Sequence, residues 1–337
     1  MAKSYHLPAG YTARPFRLDD AEAAAQLSNA CAIELTGKPS LAAGEIRSDW
    51  QSPHFNSDTD SLAVFTPQGE LAGYVEVWDS EPHVHDFVSA EVHPQHRGQG
   101  IGTALARWAE QRAQQLLPLA PVGARVVLQQ FKSGSDEAAA RLLRAQGYEI
   151  ARHNLRMAIE FDGPPPDPVV PDGLLIRPFI RGQEERALVM AMREEFRDHW
   201  GYVESAVEED YRDWMHWMET NPTCDPSLLF VAVDGDEIAG TSLCQDATAE
   251  DPELGWIFGL GVRRPWRRRG LALALLRYSF GVLYRRGKRK VSLGVDAQSL
   301  TGATRLYERA GMRLERQYEI YEKELRPGTD LGTQAVE

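Results

Sequence analysis

Val262-Arg263-Arg264-Pro265-Trp266-Arg267-Arg268-Arg269-Gly270-Leu271-Ala272 separates a short apolar run from a long helical pattern. Before it, Leu254-Gly255-Trp256-Ile257-Phe258-Gly259-Leu260-Gly261-Val262 is apolar and glycine-spaced, which reads as a buried strand. After it, Leu271, Leu275, Leu276, Phe280, Leu283 and Tyr284 recur at roughly helical spacing. The stretch is therefore a strand-to-helix turn. A helix that begins just after glycine points unpaired N–H groups and its positive dipole end at whatever fills the turn. Such a turn is a phosphate cradle, with Gly270 giving close backbone approach and Arg267, Arg268 and Arg269 expected to add charge-assisted donors.

The spacing excludes two common nucleotide motifs. A P-loop needs an early glycine and a hydroxyl around Gly-Lys, and neither Gly37-Lys38 nor Gly287-Lys288 has them. The dinucleotide fingerprint needs three glycines, where Arg269-Gly270-Leu271-Ala272 has one. Arg267 to Ala272 instead fits Arg/Gln-x-x-Gly-x-Gly/Ala and resembles the motif of the GNAT acyltransferases. That resemblance implies a mixed α/β fold and acetyl-coenzyme A as co-substrate.

The bulk composition agrees with a folded, soluble chain. At 337 residues there is room for two domains, and 43% hydrophobic with 26% charged residues excludes a disordered chain. No apolar run is long enough to span a bilayer, and Met-Ala-Lys-Ser-Tyr-His lacks a signal peptide's apolar core, so a cytoplasmic protein is expected. Cys31, Cys224 and Cys244 are far apart and read as reduced thiols. The formal charge of −12 argues against a general nucleic-acid binder.

The cradle is not alone. Arg14-Pro15-Phe16 returns as Arg177-Pro178-Phe179, Gly69-Glu70-Leu71-Ala72-Gly73 as Asp236-Glu237-Ile238-Ala239-Gly240, and Ala145-Gln146-Gly147-Tyr148 as Arg309-Ala310-Gly311-Met312. Val92 to Gly102, with Arg97, Gly98, Gln99, Gly100 and Ile101 between, returns as Val262 to Ala272. Four landmarks in one order at nearly one offset mark a tandem duplication. The proline-rich stretch Asp162 to Gly173 precludes helix and reads as the connection. The expected organisation is a first GNAT-like domain over 1–162, a linker over 163–173 and a second over 174–337. Each copy reads strand, helices, hairpin, strand, turn, helix, strand, helix, strand. The two-copy layout is similar to that of the mycothiol synthases.

Acetyl transfer needs a neutral amine, donors for the thioester oxyanion and a proton for the departing thiolate. Leu306, Tyr307, Gly311 and Met312 match the GNAT Leu-Tyr-x-x-x-Gly-Phe/Met signature, and the resemblance implies that Tyr307 protonates the coenzyme A thiolate. The first copy has Leu143 at that place, four residues before Gly147, and leucine donates no proton. It keeps the closer cradle match, so it is expected to hold coenzyme A without turnover or to serve as a packing partner, with an active copy that uses another acid as the third alternative. The oxyanion donor is expected at the backbone N–H of Leu260 or Val262, on a strand that pairs with the pantetheine arm. Leu260, Gly261 and Val262 in the second copy, and Ala90 and Val92 in the first, are the residues on that lane. Ser299 stands where many relatives have asparagine and is a candidate for the pantetheine amide.

The general base has three candidates, Glu253, His199 and a water chain. The acceptor is expected near His199, Trp200 and Tyr202, ahead of Glu204, Glu208 and Asp210, because acids with interleaved aromatics suit a cationic amine. His83, His85, His93 and His96 cluster in sequence, but two lie in the cradle turn and no metal is expected. The reading is an N-acetyltransferase, catalytic in its second copy, acting on a primary amine of a small molecule such as an amino sugar, aminoglycoside or polyamine. The alternatives are a protein-amine acetyltransferase and a non-enzymatic coenzyme A sensor.

Overall fold

The computed structural model describes residues 6–246 and 248–335. The first copy runs β1 (Thr12–Arg14), α1 (Ala21–Thr36), α2 (Ala43–Trp50), α3 (Ser57–Asp60), β2 (Ser61–Phe65), β3 (Leu71–Trp78), β4 (His85–Val92), α4 (Ile101–Leu116), β5 (Val126–Ser133), α5 (Glu137–Ala145) and β6 (Glu149–Glu160). The second runs β7 (Leu175–Pro178), α6 (Glu185–Phe196), α7 (Val207–Thr220), β8 (Leu229–Asp234), β9 (Glu237–Gln245), β10 (Leu254–Val262), α8 (Leu271–Arg285), β11 (Lys290–Asp296), α9 (Ala303–Arg309) and β12 (Arg313–Arg326).

The compact units do not coincide with these copies. One unit comprises Met1–His153 with Tyr318–Leu331, the other Asn154–Gln317 with Gly332–Glu337. The cause is an exchange of final strands. β6 runs antiparallel to β11, from Lys290 opposite Glu160 to Asp296 opposite Asn154. β12 runs antiparallel to β5, from Tyr318 opposite Ser133 to Arg326 opposite Val126. Each copy's last strand thus hydrogen-bonds into the other copy's sheet, and the division falls inside β6 and β12 rather than in the proline-rich stretch.

In the first unit the strand order is β1-β2-β3-β4-β5-β12, and in the second β7-β8-β9-β10-β11-β6. All neighbours are antiparallel except β4 with β5 and β10 with β11. Helices cover both faces of each sheet. In the second unit Leu271, Leu275, Ser279 and Leu283 form the buried stripe of α8 at four-residue steps, and its leucines pack with Val262, Ile257 and Val291. α6 and α7 cover the other face with Leu188, Val189, Ala191, Trp214 and Met218. α4 and the α1–α2 pair do the same in the first unit.

The parallel pairs are short, and that shortness shapes the site. β10 pairs with β11 from Leu254 opposite Lys290 to Ile257 opposite Leu293, yet β10 continues to Val262. A register shift between Ile257 and Gly259 against β9 helps turn the strand away. β4 likewise pairs with β5 only from His85 to Phe87 among the described residues and continues to Val92. Each unit therefore opens a splay beside the last half of the strand that feeds its cradle.

Candidate active site

The cradle is built by backbone geometry. Gly270 caps α8 at φ +87°, and Arg268 two residues earlier has φ +62°. Ala274 N–H is the first in α8 to reach a carbonyl of its own turn, that of Gly270 at 3.1 Å, so the N–H groups of Leu271, Ala272 and Leu273 face outward. The first unit repeats the turn with Gly98 at φ +76° and Gly100 at φ +90°, and Ala104 N–H reaches Gly100 O at 3.0 Å ahead of Ile101 and Gly102. Successive N–H groups in alternating left-handed backbone form a concave anion nest. A β-carbon on Gly270 would meet nothing within 4 Å, so the space in front of the turn is open. That openness, with exposed Arg268 and Arg269 beside it, fits a pyrophosphate.

Arg267 is placed differently from the expected free donor. Its Nε donates to Val262 O at 2.8 Å, and Nη1 pairs with buried Asp198 at the end of α6. Arg264 joins the same carboxylate at 2.5 Å. These two guanidiniums pull Asp198 down to about 2. Arg97 repeats the brace, donating to Val92 O at 3.3 Å and pairing with Glu34 of α1. These arginines lash the turn to the helix in front of it.

The strand ahead of the cradle offers its edge. Arg263 N–H donates to Ala239 O of β9 at 3.0 Å, and Gly261 lies opposite Thr241. Because strand groups alternate, Leu260 and Val262 turn their N–H and C=O groups away from β9, into the splay. Both expected oxyanion donors thus lie on the open edge. Val262 O is already taken by Arg267, leaving the Leu260 carbonyl and both N–H groups for an extended ligand.

Tyr307, on α9, is buried in the cluster of Ile257, Leu293, Val295 and Met157, against which Leu260 also packs. Burial alone pushes its phenol up to about 12, so it holds its proton throughout the neutral range. Ser299 is engaged in starting α9: its hydroxyl accepts from Ala303 N–H at 3.3 Å and lies 3.1 Å from Thr301 Oγ1.

The first unit differs at the same places. Leu143 is buried in its core. Lys132 on β5 reaches across the splay and donates to Ala90 O at 2.7 Å, using the carbonyl that an inserted amide would need. Gln99 accepts from Tyr11 Oη at 2.9 Å.

The residues expected on the acceptor side are partly spoken for. His199 stacks edge-on against Phe196, and desolvation, seconded by Arg267, lowers its imidazole pKa. Trp200 Nε1 donates to Gln334 at 2.9 Å, and Gly201 N–H and Tyr202 O bond Thr333 of the C-terminal segment. The Tyr202 phenol is buried with no hydrogen-bond partner among the described residues. The acids that follow pair with arginines on and just after α6: Glu208 with Arg186, Glu204 with Arg197, Asp210 with Arg193. Trp214 is core. Glu253 is exposed at the start of β10, seven residues before Leu260. At about 3.3 Å per strand residue that is roughly 23 Å away, which removes it as a base.

Residues 26–148 and 189–312 each match the Acetyltransferase (GNAT) family. The chain belongs to that family. This tandem GNAT protein is 31% identical to the mycothiol acetyltransferase of Streptomyces scabiei (strain 87.22), over 72% of this chain and 73% of that one. It is 30% identical to the mycothiol acetyltransferase of Geodermatophilus obscurus, over 88% and 92%. Among solved structures, a GCN5-related N-acetyltransferase from Sphaerobacter thermophilus is 41% identical, with TM-score 0.77, covering 97% of this chain and 99% of that one. A tandem GNAT protein from the clavulanic acid biosynthesis pathway shares the fold at 16% identity, with TM-score 0.70 over 94% and 99%. The GNAT chain is thus an acetyltransferase that uses acetyl-coenzyme A, which sets aside the sensor alternative. No helix among its described residues is long and apolar enough to cross a membrane.

Glu195 and Asp198 belong to the acidic stretch ahead of His199, but the sequence does not distinguish their buried partners, Thr241 for Glu195 and Arg264 and Arg267 for Asp198. Glu195 continues the buried stripe of Leu188, Ala191 and Met192, so a carboxyl at a core position of an amphipathic helix was the available signal.

Proposed function

We propose that this GNAT protein transfers the acetyl group of acetyl-coenzyme A to a primary amine of a small molecule in the cytoplasm, with catalysis in the second copy. The observation that carries the reading is the open edge of β10: Leu260 and Val262 N–H groups face the splay, with the α8 cradle at one end and Tyr307 packed beside Leu260. The pyrophosphate rests on the N–H groups of Leu271 to Leu273, and the pantetheine arm runs along β10. The N–H groups of Leu260 and Val262 hold the thioester oxygen as charge develops on it. Tyr307 returns a proton to the leaving sulfur, which its raised pKa keeps available. The amine-acetylating, small-molecule direction is supported by the mycothiol acetyltransferases that match most of both copies, and an amino-sugar–cysteine conjugate heads the acceptors to try, before aminoglycosides and spermidine.

Tyr307→Phe tests the assignment. General-acid removal costs on the order of 10²-fold or more in kcat. The KM for acetyl-coenzyme A should hardly move, because the phenyl ring still packs with Leu260 and Val295. Equal turnover of variant and wild type across pH would remove Tyr307 from the chemistry.

A further inference from the structure

We propose that Glu195 is the base that takes the proton from the acceptor amine, an assignment that rests on the N-acetyl transfer proposed above. Glu195 is on α6, 2% exposed, and its Oε2 accepts from Thr241 Oγ1 of β9 at 2.6 Å. Its Oε1 is buried without a hydrogen-bond partner among the described residues. The side chain lies directly over the backbone of Gly261: a β-carbon there would fall 2.6 Å from Glu195 Cβ and collide with the carboxyl. Gly261 stands between the two N–H groups that face the splay. The carboxyl therefore sits on the α6 face of β10 at the level of the oxyanion donors, while Leu260 and Val262 turn to the α8 face with Tyr307 beyond Leu260.

A packing role does not account for this carboxyl. Burying it costs stability that an apolar side chain would not lose. At the equivalent strand register the first unit also has a carboxyl, from the strand rather than the helix. Glu91 of β4 lies opposite Tyr74 as Gly261 lies opposite Thr241. The α1 residue matching Glu195 is Cys31, since Glu34 and Asp198 take the equivalent braces from Arg97 and Arg267. In the first unit the strand has the carboxyl, Glu91, and the helix Cys31; in the second the helix has the carboxyl, Glu195, and the strand Gly261. Glu91 also has a buried oxygen without a partner among the described residues.

The step balances within the site. The amine nitrogen bonds to the thioester carbon and the C–S bond breaks. The nitrogen's proton passes to the Glu195 carboxylate, and the sulfur receives one from Tyr307. Acid and base thus stand on opposite faces of β10 and need not be one group. Desolvation raises Glu195 to about 8, with Glu194 adding to the rise and Thr241, Arg263 and Arg267 opposing it. A base is most effective when its pKa lies near the working pH.

The test follows coenzyme A thiol release from acetyl-coenzyme A with an amino-sugar–cysteine conjugate, kanamycin and spermidine, from about pH 6 to about pH 10. Wild type should show kcat/KM rising with pH as Glu195 ionises. Glu195→Gln should lose at least about 10²-fold and the rising limb with it, while calorimetry finds the acetyl-coenzyme A affinity unchanged. Wild-type rate and limb in that variant overturn the proposal and leave acetyl transfer standing. Should Glu195→Gln fail to fold, Glu195→Asp decides: lowered kcat with a displaced limb supports the assignment, and an unmoved limb overturns it. Wild type releasing no thiol with any of the amines overturns the acetyl-transfer reading, and the base falls with it.

Discussion

Arg268 holds the left-handed backbone that the first cradle gives to glycine, and replacing it separates what the turn costs from what it provides. With φ +62° at Arg268 and +76° at Gly98, the two turns have one shape and only the second has a β-carbon in it. A left-handed L-residue costs about 1–2 kcal/mol. Arg268→Gly relieves that, less about 0.5–1 kcal/mol for the greater freedom of glycine in the unfolded chain. The net expectation is a gain of roughly 0.5–1 kcal/mol, or about 1–4 °C in melting temperature for a unit of this size. Binding moves the other way, because an exposed cation beside a helix N-terminal anion is worth about 0.3–1 kcal/mol, so acetyl-coenzyme A should bind roughly 2–5-fold more weakly. Gly98→Arg is the reciprocal control and should destabilise by a similar amount. Scanning calorimetry and isothermal titration on the three proteins measure both. Arg268→Gly that melts below wild type refutes the strain argument. A variant that binds acetyl-coenzyme A as tightly as wild type refutes the claim that the arginine is kept for the anion.

Two more outcomes follow from the same geometry. Acetyl-coenzyme A should titrate to one site per chain, abolished by Gly270→Glu and untouched by Gly100→Glu, because Lys132 spans the first splay and occupies Ala90 O; two sites in wild-type calorimetry would count against this. Asp198→Asn should lower stability at neutral pH, since the folded carboxyl at about 2 lies below its unfolded value of 3.8, so its contribution is complete above pH 3.8 and disappears as pH falls through 2; urea midpoints of variant and wild type should therefore converge in acid, and a gap that persists there would exclude the Arg264 and Arg267 pairs as the cause.

The motif-bearing turns were legible because their chemistry is local. Gly270 before an apolar stripe, and Gly100 before another, announce an N-terminus whatever surrounds them, and the structure has both helices starting at the next residue. The duplication was legible from four short echoes. What the sequence did not carry is pairing at long range. Nothing within Glu149–Glu160 says that the strand pairs with Lys290–Asp296, because both are amphipathic segments that would suit either sheet. Arg267 was read as an anion donor from its place in the motif, yet its destination depends on Asp198, sixty-nine residues earlier and buried. Glu204, Glu208 and Asp210 have the composition of an amine site, and their partners Arg186, Arg193 and Arg197, on and just after α6, are in plain view at helical spacing without revealing which faces which.

The exchanged strands make each copy's last strand part of the other copy's sheet. Leu143 stands at the first copy's counterpart of Tyr307, and Lys132 occupies Ala90 O. But the first copy's last strand is a wall of the second unit's core: Met157 and Phe161 are buried with Tyr307, Leu293 and Val295, and Ile159 lies where a β-carbon on Gly311 would come to 3.3 Å. Removing the first copy would strip β11 of its antiparallel neighbour from Lys290 to Asp296, exposing the strand that leads into the Tyr307 helix. Loss in the other direction is equally costly, since Tyr321, fully buried, belongs to the core of the first unit though it lies in the second copy. β6 and β12 are therefore structural requirements of the opposite copy's sheet.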